Sequence, residues 1–327
     1  MPGRRVHRAW RAAADAAQSG DIKGCVRKLT ECVGIADPAG RPFDARDLMA
    51  SLVATVDCAS YWGEPDAQDQ AFAEPTAREA LRPVAEAVAA ASADAQNVRW
   101  WAEPADGSRQ RYTQFLDNDP MPEPRLTGAA DLLRAWLAHA RDHEQSLPDP
   151  AEDPARTLSG GWWSSPATSE LPITTRGLPS LGAVRLVLAE DGFGWQHARC
   201  WPVTAPANAR IYEISEPDQW ARLVDRYPLD VSRSRRHDWW RATGWTGRWL
   251  IPDYAAAAAD WDAIHVSVAG YLTTAGIPLP AGAGARTMLA GWDPDATLWL
   301  NDVLSFAEPA ELWRAARHAP FGWLQAA

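Results

Sequence analysis

The densest group of residues with chemical potential is the segment Arg233–Arg241, which reads Arg-Ser-Arg-Arg-His-Asp-Trp-Trp-Arg. Arginine guanidinium groups bind phosphate or carboxylate in a bidentate way. Neighbouring indole rings offer faces on which a base or a sugar can stack, and a histidine beside an aspartate is typical of an oriented acid or base. The segment therefore predicts a binding site, with group-transfer chemistry as a further expectation, for an anionic small molecule with an aromatic or sugar part, such as a nucleotide.

Within this segment, ligand binding and acid–base chemistry are assigned to different residues. The predicted ligand-binding residues are Arg235, Arg236, Trp239 and Trp240, and His237 is the candidate acid or base. The alternative is a surface loop whose arginines pair with acids of the N-terminal half and whose tryptophans anchor it to the core, because charge clusters are usually solvated or structural. A separate alternative is a non-catalytic interaction module whose exposed tryptophans bind a partner, since Trp and Arg dominate interface hot spots.

A second group of candidate catalytic residues lies on the segment Ile264–Thr274, which has the strongest strand pattern in the chain. Because side chains alternate along a strand, His265, Ser267 and Tyr271 share one face. We expect this face to line the same pocket as the segment Arg233–Arg241. The alternative is a half-exposed antiparallel strand whose polar side faces water.

Metal and cofactor chemistry find little support in the sequence. Asp293, Asp295 and Asp302 fit no calcium-binding loop, which also needs a central glycine, and Asp-Pro-Asp is a sufficient turn signal. Phosphate-binding, dinucleotide-binding, zinc-protease and nucleophile-elbow motifs are missing. Lys23 and Lys28, the two lysines, both lie on an early predicted helix, which disfavours a lysine Schiff base. We therefore expect no metal and no cofactor.

The order of the predicted elements resembles that of ADP-ribosyltransferases. That family places an arginine or histidine on an early strand, a hydroxyl-rich strand after it and a glutamate late in the sheet. Arg210 and the predicted strand Ser267–Thr274 take the first two places, and the next glutamate is Glu308, beyond the last predicted strand. This resemblance of element order implies an ADP-ribosyltransferase-like enzyme as a further alternative.

Composition narrows the range of partners. The net charge of −10 disfavours nucleic acid as a partner, since phosphate neutralisation needs a basic surface. A protein that binds single-stranded nucleic acid by stacking is therefore the lowest-ranked alternative. No run approaches the roughly 18 to 20 apolar residues of a membrane span, and the basic N-terminus lacks the apolar core of a signal peptide. We expect a cytoplasmic protein with an anionic small molecule or a protein as partner, and no membrane.

Hydrophobic periodicity divides the chain into three regions: a helical domain at 1–147, a linker rich in Pro and acids at 148–160, and a domain at 161–327 that contains 14 of the 19 tryptophans. Apolar residues at three- and four-residue intervals predict helices at 6–18, 22–33, 44–62, 76–91 and 127–144. Trp220, Trp261 and Trp313 lie on predicted helices of the third region, at positions suited to burial.

Beyond residue 160 the predicted elements are mixed. A hairpin of strands is expected at 183–188 and 193–203, with further strands at 211–214, 248–251, 264–273 and 297–301, and helices at 215–227, 253–261 and 308–318. Strands and helices in this irregular order favour the α+β class: a helical N-terminal lobe followed by a Trp-rich mixed, mainly antiparallel, α/β lobe.

Overall fold

The structure, a computed structural model, describes the following residues: 45–57, 59, 63–65, 69–70, 74–79, 82, 85–86, 99–116, 124–148, 161–166, 171–179, 181–190, 192, 194–316 and 320–326. The predicted helices at 6–18 and 22–33 lie outside the described residues, as does the predicted linker beyond Pro148.

Four of the helices bounded below have ten or more residues, and three are shorter. Their bounds are α1 Ala45–Asp57, α2 Ala129–Ser146, α3 Arg185–Leu188, α4 Pro217–Arg226, α5 Ser232–Thr243, α6 Tyr254–Ala257 and α7 Val268–Thr274.

The strands are numerous and mostly brief. Their bounds are β1 Gln110–Leu116, β2 Ile173–Leu178, β3 Gly182–Ala183, β4 His197–Thr204, β5 Ile211–Ile214, β6 Pro228–Asp230, β7 Leu250–Pro252, β8 Ala263–Val266, β9 Leu279–Ala281, β10 Ala285–Thr287, β11 Ala296–Trp299, β12 Ser305–Phe306, β13 Glu311–Ala315 and β14 Trp323–Gln325.

Ten of the described strands form one sheet, in the order β14-β13-β4-β1-β2-β11-β8-β5, with β12 on β4 and β3 on β2. The pairs are antiparallel except for β5 and β8, which are parallel. Two further sheets contain two strands each, β9 with β10 and β6 with β7. Helices combined with a large, mostly antiparallel sheet confirm the predicted α+β class.

The contacts divide the chain into two compact units, one of residues 1–51 and 63–99 and the other of residues 52–62 and 100–327. This division differs from the predicted one at 148–160. Residues 100–147 belong with the sheet, because β1 lies between β4 and β2 and α2 packs on α5 and α6. The second unit therefore takes its sheet from both sides of the predicted linker.

Aromatic side chains fill the core of the second unit. In one cluster the indoles of Trp239 and Trp249 meet edge to face with their centroids 5.0 Å apart, and Trp162 packs beside them. A second cluster on one face of the sheet is built around Trp201 and Trp299. Large aromatic rings bury about 150–250 Å² each, so these tryptophans contribute a large apolar area to the two clusters.

Several sequence-based predictions of local structure are confirmed. The strand Ile211–Ile214 has the predicted bounds, and β11 pairs with β8 as expected. The helix that follows β5 is also present, and Glu216 and Gln219 form the capping box at its N-terminus.

The predicted strand Ile264–Thr273 is wrong beyond Val266. The Ser267 hydroxyl accepts a hydrogen bond from the Gly270 backbone N–H and so caps α7. Gly270 lies against the end of β5, where a Cβ atom would come within 2.0 Å of the Ile214 carbonyl oxygen. The strand ends where α7 packs closely on the end of β5, a long-range contact that the local sequence pattern does not reveal.

The predicted helix at 308–318 is also wrong, since Glu311–Ala315 forms β13. It pairs with β4 on one side and β14 on the other. Tertiary pairing overrides helix propensity here. Trp313 is buried as expected, but on a strand, whereas Trp261 is half-buried just beyond α6.

The predicted hairpin at 183–203 does not form. Residues 185–188 make the single turn α3, and β4 pairs with β1 instead. Leu186, Val187 and Leu188 are all buried, so the segment has no polar face. A segment that is buried on every side lacks the alternation of apolar and polar residues by which a strand is distinguished from a helical turn.

Candidate functional site

The segment Arg233–Arg241 is part of the helix α5, and not the loop that the structural alternative assumed. The first turn of a helix leaves backbone N–H groups without partners. Here the carboxylate of Glu144, on α2, accepts hydrogen bonds from the N–H groups of Arg233, at 2.9 Å, and Ser234, at 2.8 Å. The N-terminus of α5 is therefore already bound to an internal anion.

The predicted ligand-binding residues of α5 make contacts within the fold. Arg235 donates from Nε to the Trp163 carbonyl at 3.1 Å and from Nη1 to Ser234 Oγ at 2.9 Å. Trp239 is fully buried and donates from Nε1 to the Trp162 carbonyl at 2.8 Å.

The other predicted residues of this helix are wholly or largely covered. Arg236 is buried, and so is His237, whose Nδ1 lies 3.6 Å from Asp238 Oδ1. Trp240 is half-buried. The arginines of α5 thus meet internal groups, which is the arrangement that the structural alternative describes for this segment.

The second predicted group, His265, Ser267 and Tyr271, is held by a different set of partners. The Ser267 hydroxyl caps α7, and the Tyr271 hydroxyl donates a hydrogen bond to Glu190 Oε1 at 2.8 Å. His265 lies on β8 with its ring buried between Glu213 and Asp295. A pocket shared with α5 therefore stays a prediction, and the described contacts do not support it.

His265 belongs to a buried network of charges on one face of the sheet. Its Nδ1 lies 2.6 Å from Glu213 Oε2, and its Nε2 lies 3.4 Å from Asp295 Oδ1. Burial alone would lower the pKa of His265, but the hydrogen bonds and charges of Asp295 and Glu213 outweigh it and raise the pKa to about 9. The ring is therefore an imidazolium at neutral pH.

Arg176 completes this network from β2. Its Nε and its backbone N–H both donate to Asp295, each at 2.7 Å, and its guanidinium lies 5.2 Å from the ring centroid of Trp100. Two cations thus face the two carboxylates of Glu213 and Asp295. Buried charges that are paired in this way are stable only as a set, and the set holds Asp295 in the left-handed region at φ 62°.

The three aspartates considered for a metal are bound to protein groups. Asp293 accepts from Arg185 Nε at 2.8 Å, Asp295 belongs to the network above, and Asp302 accepts from the first N–H groups of α2. No group of three or more His, Cys, Asp or Glu side chains among the described residues is placed to hold a metal ion.

One cleft, of about 400 Å³, lies beside α5 and is lined by charged groups that already have partners. Nε and Nη2 of Arg248 both donate to Oδ2 of Asp230, at 3.1 and 2.8 Å, and Glu144 caps the helix as described above. Since its anions and cations are matched within the protein, this cleft has little charge left for a ligand.

A second cleft has a different charge pattern. It measures about 310 Å³ and is named here the Arg111 cleft, with lining residues Ser108, Arg109, Arg111, Gly177, Leu178, Pro179, Gly182, Glu311, Trp313 and Gln325. Arg111 projects from β1, and Glu311 and Trp313 from β13, so rigid strands on the two sides of β4 carry its polar groups.

The side chain of Arg111 is only 26% exposed, yet its guanidinium has few close hydrogen-bond acceptors among the described residues. Its Nη1 donates to the Gln110 carbonyl at 3.4 Å, and its Nη2 lies 3.9 Å from Glu311 Oε1. Its Nε is buried, and no described residue accepts a hydrogen bond from it. Arg109, two residues earlier on the same cleft, is exposed.

Two glycines give the Arg111 cleft its shape. A Cβ atom on Gly177 would lie 3.1 Å from Cζ of Arg111, and one on Gly182 would lie 2.3 Å from the ring of Trp313. Gly182 also has φ 66°, which side chains rarely adopt. The Arg111 side chain therefore packs directly on the backbone at Gly177, and the Trp313 indole packs directly on the backbone at Gly182. A larger residue at either glycine would displace the side chain that packs on it.

Sequence reasoning did not single out these residues. Arg109 and Arg111 are two residues apart and are followed by strand-forming residues. Two arginines at this spacing lie on the same side of a strand, and this was the signal available in the sequence. The contribution of Glu311 and Trp313 was hidden by the predicted helix at 308–318.

Comparison with known proteins gives no match: no family model, no curated protein and no solved structure is similar to this chain. In the part of the chain that the structure describes, no helix has the length and apolar character needed to cross a membrane. The fold class and the geometry of the clefts are therefore the basis for any proposal about function.

Proposed function

We propose that this protein binds a small anionic molecule in the Arg111 cleft. The observation that carries the proposal is the state of Arg111: this largely buried guanidinium has five donors and makes one long hydrogen bond, of 3.4 Å, to the residues that the structure describes. A buried donor without an acceptor costs about 1–3 kcal/mol. A phosphate or carboxylate would supply the bidentate acceptor that this geometry lacks.

The proposal keeps the predicted ligand class and moves its site. Arginines on either side of the segment Arg233–Arg241 pair with acids of the protein, as Arg226 does with Asp260 at 2.8 Å and Arg248 with Asp230 at 2.8 Å. Trp313 adds an aromatic wall to the Arg111 cleft, which suits a ligand with a planar or sugar part. A volume of about 310 Å³ is at the lower end for small-molecule sites, so the ligand is small.

No reaction is proposed for this site. The ADP-ribosyltransferase-like alternative depended on a hydroxyl-rich strand at Ser267–Thr274, and residues 268–274 are helical. Group transfer, a cytoplasmic location and the lack of a cofactor stay predictions from the sequence. The interaction module is the alternative that gains support if no anion binds.

The proposal is tested by titration calorimetry with inorganic phosphate and with adenosine monophosphate. Calorimetry at constant ionic strength is needed because phosphate also stabilises folded proteins by exclusion from their surface. We expect both probes to bind, and adenosine monophosphate to bind more tightly. Arg111→Gln should weaken phosphate binding about 10- to 100-fold, the loss of a hydrogen bond to a charged group.

Arg248→Gln is the matched control, since it removes the same charge from the other cleft. It should leave both affinities unchanged. If neither probe binds the wild-type protein, or if Arg111→Gln and Arg248→Gln weaken binding equally, the Arg111 cleft is not an anion site.

A further inference from the structure

Glu311 gives the Arg111 cleft a negative charge beside its two arginines. Its Oε1 lies 3.9 Å from Arg111 Nη2, beyond hydrogen-bond distance. Its Oε2 accepts a hydrogen bond from Trp313 Nε1 at 3.3 Å. The side chain is 25% exposed, so it faces the cleft and is not sealed in the core.

The separation of Arg111 and Glu311 is a property of the scaffold. The indole of Trp313 anchors Glu311 on β13, and Gly177 lets the Arg111 side chain lie on the backbone of β2. Both strands belong to the same sheet, with β4 between β1 and β13. Two opposite charges that could gain from a direct hydrogen bond are therefore held about 1 Å further apart than such a bond requires.

A purely anionic ligand at Arg111 would lie close to this carboxylate and be repelled by it. A ligand with an anion and a cation a few bonds apart would place the anion on Arg109 and Arg111 and the cation on Glu311, with charge-assisted hydrogen bonds of about 2.8 Å to each. We infer that the ligand of the Arg111 cleft is zwitterionic, with an ammonium or similar cationic group close to its phosphate or carboxylate. This inference rests on the proposed function and names the ligand class of the same site.

Matched probe pairs that differ by one ammonium group test the inference. Phosphoethanolamine is compared with ethyl phosphate, and β-alanine with propionate, by titration calorimetry on the full chain. An opposite charge about 4 Å away in water-like surroundings corresponds to about a fivefold change in Kd. We expect the ammonium-bearing member of each pair to bind at least about fivefold more tightly.

Glu311→Gln should remove this preference, because the amide keeps an acceptor for Trp313 but loses the charge. Glu308→Gln, which removes the same charge from an exposed position three residues away, should keep it. The wild-type comparison of the two probe pairs does not depend on the folding of either variant.

The outcomes separate the two claims. If ethyl phosphate and propionate bind as tightly as their partners, or if the preference survives in Glu311→Gln, the inference is overturned and the anion site stands. If no probe of either pair binds the wild-type protein, both the site and the inference are overturned.

Discussion

Raising the pH from 6 to 8 should lower the free energy of unfolding of the second unit by about 2 kcal/mol, because His265 is held as an imidazolium in the fold. Its pKa is raised from 6.5 to about 9 by Asp295 and Glu213 against the effect of burial. A group whose pKa is raised on folding stabilises the protein fully below its unfolded pKa, and the stabilisation is lost as the pH rises through the folded pKa.

The magnitude follows from the two pKa values. With values of 6.5 unfolded and about 9 folded, the imidazolium contributes about 3 kcal/mol at pH 6 and about 1 kcal/mol at pH 8. Above pH 8.5 Cys200 adds a fall of the same sign, since burial raises its pKa to about 12, so the test ends at pH 8.

Urea unfolding at pH 6, 7 and 8 and constant ionic strength measures this change. Tryptophan fluorescence reports on the second unit, because 18 of the 19 tryptophans lie in it. His265→Gln should remove the part of the slope that is due to the imidazolium. Glu213→Gln should reduce it, since one of the two carboxylates that raise the pKa is lost.

Two results would refute the reasoning. One is a wild-type protein whose unfolding free energy changes by less than about 0.5 kcal/mol between pH 6 and 8. The other is a His265→Gln protein that keeps the wild-type slope, which would assign the pH dependence to other groups.

Three further substitutions check the assignments of the tryptophans and arginines. Trp220→Ala should cost about 3–5 kcal/mol in urea unfolding, because the ring is fully buried and bonded to Thr287; a parent-like midpoint would contradict this. Arg235→Ala should cost about 0.5–1.5 kcal/mol through its lost bond to the Trp163 carbonyl and leave phosphate affinity unchanged by calorimetry, whereas loss of binding would restore α5 as the site. Arg248→Ala should cost under about 1 kcal/mol, less at high salt, since its pair is exposed.

The parts of the fold that could be predicted from sequence are those that local chemistry decides. The β-branched and apolar run at 263–266 and the one at 211–214 form strands because such residues suit a half-buried pleated surface. The helix Pro217–Arg226 begins where a proline follows a residue that can cap it. In each case the residues that determine the element lie within it or beside it.

The candidate site could not be predicted in this way, because the density of arginines along a sequence says nothing about where their counter-charges lie. Arg233 is neighbour to Glu144, 89 residues earlier, and Arg226 to Asp260, 34 residues later. These acids come from α2 and from the turn after α6, so the crowded region is balanced only in the folded chain. Arg111, with a single arginine nearby in sequence, makes one hydrogen bond of 3.4 Å among the described residues and lies 3.9 Å from Glu311.

The error at 308–318 and the missed cleft have the same physical cause. Read as a helix, this segment would place Glu311 and Trp313 two residues apart on different sides. As β13, paired with β4, it places both on one face, and β4 in turn pairs with β1, which carries Arg111. The cleft therefore forms because a segment with a helical sequence pattern pairs with the edge of β4. A substitution that made 311–315 helical would move both Glu311 and Trp313 away from Arg111.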